Sequence, residues 1–156
     1  MSRSRPLLIR RAVASDADAV AEVFLAARSA MTFLPRLHSK AATRMFIRRL
    51  VASVETWLAL RSNRVAGFAS LDGDWLTHLY VDPARQHTGI GSALIEHVKS
   101  LRPDGFQLWT FQANGGARRF YERHGCVAVD ETDGQRNEEK LPDVLYVWPQ
   151  DRAPQA

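Results

Sequence analysis

The sequence predicts one mixed β-sheet covered by helices, an α/β layer architecture. Three observations carry that reading. Seven short apolar runs have strand character, four longer segments repeat their apolar residues at helical spacing, and the two kinds follow one another as β-α-α-β-β-β-α-β-α-β-β. A chain of 156 residues, 46% hydrophobic and 24% charged, buries one core of this kind but not two substantial ones. The expected unit is a single domain over residues 1–156, with flexible termini at about 1–6 and 150–156.

Leu7-Leu8-Ile9, followed by Arg10-Arg11, reads as the first strand. Ser15 or Asp16 caps a helix in which Val20, Val23, Phe24 and Ala27 recur at helical spacing. Pro35 breaks the chain over residues 33–38, because it lacks an amide donor and restricts Leu34. Ser39 caps the second helix, whose expected apolar stripe is Ala42, Met45, Phe46 and Leu50. Residues 54–60 and 65–71 form a hairpin, and Asp72-Gly73-Asp74 turns into a strand over 75–81. A polar loop then leads to a helix carrying Ile90, Leu94, Ile95 and Val98, which Pro103-Asp104-Gly105 ends before a strand over 106–111. Asn114 opens a helix with Ala117, Phe120 and Tyr121 on one side, closed by His124-Gly125. Residues 126–129 and 144–148 are the last strands, and the polar stretch between them is too long for a tight turn.

Composition excludes several classes. No apolar run approaches the roughly 20 residues of a membrane span. The basic start is followed only by Leu7-Leu8-Ile9, too short for a secretory signal, so a cytoplasmic location is expected and no membrane partner. Cys126 is the only cysteine, which rules out an intramolecular disulfide and a multi-cysteine metal site, and no metal is expected. The net charge is +4, with 18 arginines against three lysines. That balance permits an anionic ligand, while most of the arginines suit solvated helix faces. The basic residues form no block and do not interleave with aromatics, so nucleic acid is not an expected partner.

The sharpest local signal is Gln86-His87-Thr88-Gly89-Ile90-Gly91-Ser92, between a strand and a helix. Helix starts present unpaired amides and a positive dipole end, which favour anions. Gly89 and Gly91 would let a ligand approach the backbone, so Gly89→Val or Gly91→Val is expected to weaken binding and spare the fold. A Walker loop would need Lys and then Ser/Thr after the second glycine, where Ser92-Ala93 stands. A dinucleotide fingerprint would need a small residue in place of Leu94.

The loop and its surroundings resemble the GNAT superfamily of N-acetyltransferases. That family's acetyl-CoA loop reads Gln/Arg-x-x-Gly-x-Gly/Ala after a strand ending in an apolar residue, Asp and Pro. Here the stretch is Leu79-Tyr80-Val81-Asp82-Pro83-Ala84-Arg85-Gln86-His87-Thr88-Gly89-Ile90-Gly91. A second family element, Asn-x-x-Ala-x-x-Phe-Tyr-Glu-x-x-Gly-Phe, is matched from Asn114 through Ala117, Phe120, Tyr121, Glu122 and Gly125, with Cys126 in place of the final Phe. The resemblance implies a central, mostly antiparallel seven-stranded sheet, splayed between its fourth and fifth strands and flanked by four helices. It also implies an enzyme that moves the acetyl group of acetyl-CoA to a primary amine of a small molecule or peptide, by direct transfer in a ternary complex.

Roles follow onto matching positions. Backbone groups along Leu79, Tyr80 and Val81 would pair with the pantetheine arm. Amides of His87, Thr88, Gly89, Ile90, Gly91 and Ser92 would cradle the pyrophosphate, with Gln86 at the border. Asn114 would touch the cofactor arm, and Tyr121 would protonate the departing thiolate. The residue type suits that role, since a phenol of pKa about 10 keeps its proton at neutral pH. Cys126, at a strand start, reads as a buried structural thiol.

The base is less legible. Many family members carry a glutamate on one of the two splayed strands, and the equivalent positions here are Trp75 and Trp109. His38, in the break between the first two helices, leads the alternatives. His78 follows, although strand alternation sets it opposite Trp75 and Thr77. Asp72, Asp74 and Glu138 complete the set. Acceptor identity would be set by residues 31–38 and by the late loop, where Glu138 and Glu139 suit a cationic amine. The missing carboxylates keep open a non-catalytic acyl-CoA-binding regulatory module. The apolar run Val144-Leu145-Tyr146-Val147-Trp148 suits either a dimer edge or an interior strand; a homodimer is the expected assembly.

Overall fold

The structure, a computed structural model, describes residues 6–151, so most of both expected flexible termini lies outside the described residues. Along the chain run β1 (Leu7–Arg11), α1 (Ala17–Ala30), α2 (Lys40–Ser53), β2 (Glu55–Arg61), β3 (Arg64–Asp72), β4 (Trp75–Val81), α3 (Ile90–Leu101), β5 (Phe106–Phe111), α4 (Gly115–Arg123), β6 (Val127–Thr132) and β7 (Asp143–Trp148). The strands form one seven-stranded sheet in the order β1-β2-β3-β4-β5-β7-β6. Every neighbouring pair is antiparallel except β4–β5, which is parallel.

Helices cover both faces. Val20, Phe24, Ile47 and Leu50 of α1 and α2 pack on Leu58, Leu60 and Phe68. On the other face Ile90, Leu94, Ile95 and Val98 of α3 join Tyr121 of α4 against Ala69, Leu76, Phe106 and Tyr146. Close seating of α3 depends on Gly67, where a Cβ would stand 2.9 Å from the Tyr80 carbonyl oxygen and 3.1 Å from Ile90.

Four readings of the sequence are corrected in detail. In α2 the buried residues are Thr43, Ile47, Leu50 and Val51. Of the expected stripe only Leu50 is buried, while Met45 and Phe46 face solvent. Both sets have helical spacing, and the set nearer α1 and β2 won. The carboxylate of Asp16 does not cap α1; it accepts from the Val13 amide at 2.8 Å and from both Arg10 guanidinium ends at 2.9 Å. That pairing holds the Asp16 carboxyl below the usual carboxylate range. β6 continues through polar Asp130-Glu131-Thr132, because an edge strand needs no apolar alternation to pair with its single neighbour, β7. Finally, β7 is paired on both edges, so the run 144–148 takes its interior role and offers no edge to a second copy.

Candidate active site

β4 and β5 meet at one bridge, Trp75↔Gln107, secured by the Gln107 amide donating to the Asp74 carbonyl at 2.9 Å. Beyond it the strands part. β4 adds a bulge there: Ser70 pairs with His78 but Leu71 with Leu76, which leaves Thr77 as the extra residue. Leu76 and Leu79 therefore pack into the same cluster beneath α3, which strict alternation forbids. The bulge turns His78 toward α1 and α2, among Phe24, Phe46, Phe68 and Tyr80. The Thr77 hydroxyl donates to the Ser70 carbonyl at 3.2 Å. The same hydroxyl oxygen lies 3.1 Å from His78 Nδ1.

The parted strands enclose a cleft of about 80 Å³ lined by Leu76–Tyr80 of β4, Trp109–Phe111 of β5, Met31, Asn114, Ala117 and Tyr121. Tyr121 is 7% exposed, and its burial pushes the phenol well above its ordinary value, so it holds its proton throughout the neutral range. Asn114 uses its side-chain oxygen to cap α4, accepting from Ala117 N at 3.1 Å, which leaves its NH₂ group for the cleft. Cys126 is buried and its thiol is pushed up to about 12, which makes it a poor nucleophile.

The loop over residues 86–92 lies past the end of β4 and starts α3. The first α-helical bond there is Ala93 N–H to the Gly89 carbonyl at 3.0 Å, so the amides of Ile90, Gly91 and Ser92 precede the helical ladder. His87 and Gly89 both have positive φ, 65° and 87°. Alternating backbone of this kind makes a concave row of amides. Arg61 holds the loop from β2 with both terminal nitrogens 3.3 Å from the Thr88 carbonyl, a contact no sequence signal announces. Ser92 Oγ lies 3.0 Å from His124 Nε2, tying α3 to α4.

The two glycines differ in role. A Cβ at Gly89 would meet nothing within 4 Å, so only its φ demands glycine and the space before it is open. A Cβ at Gly91 would stand 3.2 Å from the Phe120 ring. Gly91 therefore serves the α3–α4 contact, and the expectation that Gly91→Val spares the fold is revised. Overpacking of this kind costs about 1–3 kcal/mol. Urea unfolding of Gly91→Val should show that loss, and an unchanged midpoint would remove the packing role.

The acceptor-side candidates separate. Trp75, Asp72 and Asp74 sit at the closed end of the splay, around the turn that joins β3 to β4. Trp109 lines the cleft and also an adjoining pocket of about 500 Å³ that reaches Asp130, Arg136, Glu139 and Asp143. His38 Nε2 makes a short hydrogen bond with Glu138, and Arg28 of α1 pairs with Glu139 at 3.2 Å. The loop over residues 133–142 is thus tied to both α1 and the break after it. Its own turns are tight, since a Cβ at Gly134 would overlap the Leu141 backbone. Arg28 went unmarked in the sequence; it also lies over Phe24 and faces Tyr80 and His78.

A sheet opened at its parallel pair, with a helix-start loop beyond β4 and a buried phenol on the cleft wall, suits an extended anionic ligand. Comparison with known proteins gives the family. The family profile described as acetyltransferase (GNAT) domain matches residues 52–127. Peptidyl-lysine N-acetyltransferase YiaC of Escherichia coli (strain K12) is 26% identical over 144 residues, covering 91% of this chain and 97% of that one. The solution structure of apo-form YjaB from Escherichia coli superposes with a TM-score of 0.77 at 19% identity, over 92% of this chain and 97% of that one. PaiA N-acetyltransferase from Thermoplasma acidophilum, in complex with coenzyme A, superposes at 0.69 with 18% identity, over 91% and 98%. The chain belongs to the GNAT superfamily of N-acetyltransferases and is an acyltransferase. Among the described residues no helix is long and apolar enough to cross a membrane.

Proposed function

We propose that this chain transfers the acetyl group of acetyl-CoA to a primary amine of a small molecule or peptide, directly and within a ternary complex. One observation carries the reading: the β4–β5 cleft has Asn114 and Tyr121 on its wall, and β4 runs on past it into the loop that starts α3. The residues fit the donor. The backbone from Leu79 to Val81 has no strand partner on the β5 side and would bind the pantetheine arm as an added strand. Amides from His87 to Ser92 would hold the pyrophosphate beside Gln86, and the Asn114 NH₂ group would touch the arm.

Acetyl-CoA supplies an activated thioester acyl group. The chain supplies position, water exclusion and proton handling. Tyr121 gives its proton to the leaving sulfur. His38, oriented by Glu138, takes the proton that the incoming ammonium must lose. His78, which lines the cleft, is the second candidate base. A cytoplasmic enzyme fits these roles.

Thermal unfolding with and without acetyl-CoA tests the donor site. Saturating acetyl-CoA at about 100 times Kd stabilises by about 2.7 kcal/mol, a shift of several degrees for a domain of this size. No shift, alongside a clear one from NAD or ATP, would overturn the assignment. Free-CoA release across a panel of amines then tests turnover. Binding without release by any amine would favour the acyl-CoA-binding regulatory module, the reading that Trp109 in place of a strand carboxylate supports.

A further inference from the structure

We propose that Arg61 is a positioning residue for the donor site. Its grip on the Thr88 carbonyl sets the peptide between Thr88 and Gly89 so that the Gly89 N–H faces the pyrophosphate. This rests on the acetyltransferase reading above.

Strand alternation brings the side chain to the loop. Arg61 closes β2 two residues after Ala59, which packs into the cluster beneath α3, so both point to that face of the sheet. The same hairpin holds the start of the loop, since the Ala66 carbonyl of β3 accepts from the Asp82 amide at 2.8 Å. Arg61 forms no ion pair among the described residues, and its Nε is buried with no hydrogen-bond partner. Both terminal nitrogens instead reach one atom, the Thr88 carbonyl oxygen, at 3.3 Å. Keeping that grip leaves one buried donor unsatisfied, a cost that needs a reason.

Peptide geometry supplies the reason. In a trans peptide the C=O and N–H point opposite ways, so a carbonyl facing Arg61 sends the Gly89 N–H away from it. Gly89 is left-handed and Ile90 helical, the alternation that turns successive N–H groups toward one anion. The amides from His87 to Ser92 have no hydrogen-bond partner among the described residues, and the 88–89 peptide has no bond besides those from Arg61. A half-turn of that peptide would take Gly89 from a φ of 87° to roughly −90°, and glycine adopts both signs about equally. The flipped carbonyl oxygen would then stand against a phosphate in place of the N–H. Glycine at 89 permits both orientations, and Arg61 selects the donating one.

Isothermal titration calorimetry with the full chain tests this. Arg61→Met keeps most of the stem and removes the fork. Arg64→Met removes the same charge from the facing position of the hairpin, where the side chain is exposed and makes no bond to the loop. Acetyl-CoA should bind Arg61→Met about tenfold more weakly than wild type, and Arg64→Met within about threefold of it. Arg61→Lys, with one donor group in place of two, should fall between wild type and Arg61→Met, and it stands in if a melting curve shows Arg61→Met unfolded. S-acetylpantetheine, which lacks the pyrophosphate, should bind all four proteins alike, whereas inorganic pyrophosphate should follow the acetyl-CoA order. Equal losses in Arg61→Met and Arg64→Met reduce the effect to charge and overturn the proposal. Undiminished acetyl-CoA binding by Arg61→Met also overturns it, as does a matching loss of S-acetylpantetheine. A wild type that binds pyrophosphate but not acetyl-CoA overturns the transferase reading and leaves the pyrophosphate order to judge Arg61; one that binds neither overturns both.

Discussion

Tyr121→Phe should lower turnover by roughly 10²–10⁴-fold, the usual worth of a positioned acid. The substitution removes one hydroxyl and keeps the ring. Tyr121 packs beside Phe120 and Tyr146, with ring centroids at 5.2 and 6.1 Å, and those contacts survive in phenylalanine. Its hydroxyl has no hydrogen-bond partner among the described residues, so the fold loses little. Burial holds the phenol in its protonated form at every working pH, which is the form a departing thiolate needs. Acetyl-CoA affinity should stay within about threefold, because the loop amides and the β4 backbone do the holding. A loss in kcat without a loss in binding marks an interaction made in the transition state. Equal kcat values, with chemistry shown to be rate-limiting, would remove Tyr121 from the mechanism and leave water as the proton source.

The fold was legible because local signals agreed with one another. Ser39 does cap α2, its Oγ accepting from Ala42 N at 3.1 Å, and the positive φ of Gly125 does follow the end of α4. The starts of α3 and α4 at Gly89 and Asn114 were legible because helix caps and left-handed turns need particular residue types at fixed offsets. What failed was whatever depended on the third dimension. Periodicity offered two faces for α2 and could not choose between them, since the choice lies with α1 and β2. The Thr77 bulge has no composition of its own, yet it reverses the phase of β4 and moves His78 to the other face. The packing cost of a side chain at Gly91 was missed because the sequence does not show Phe120 arriving from α4. Arg28, Arg61 and the pairing of His38 with Glu138 join segments far apart in the chain, and such pairs leave no local trace.

His78 should make stability depend on pH in acid. Burial among aromatic rings, with Arg28 adding repulsion, lowers its pKa to about 4 from the ordinary 6.5. Between those values the unfolded chain binds the proton and the folded chain does not, so stability rises with pH across that window. The contribution is therefore complete above about pH 6.5 and is lost as pH falls toward 4. A gap of this size corresponds to about 3 kcal/mol. In His78→Phe the ring can sit with Phe24, Phe46, Phe68 and Tyr80 and has nothing to protonate. Urea unfolding at intervals from pH 7.5 to 4.5 should show the wild type losing most of that 3 kcal/mol relative to the variant. Parallel curves for the two proteins would refute the burial argument. The same low affinity for protons makes His78 a weak base, so replacing it should cost little turnover. In acetyl transfer His38→Gln should then lower kcat/KM about tenfold further than His78→Phe does. The opposite order would exchange their roles.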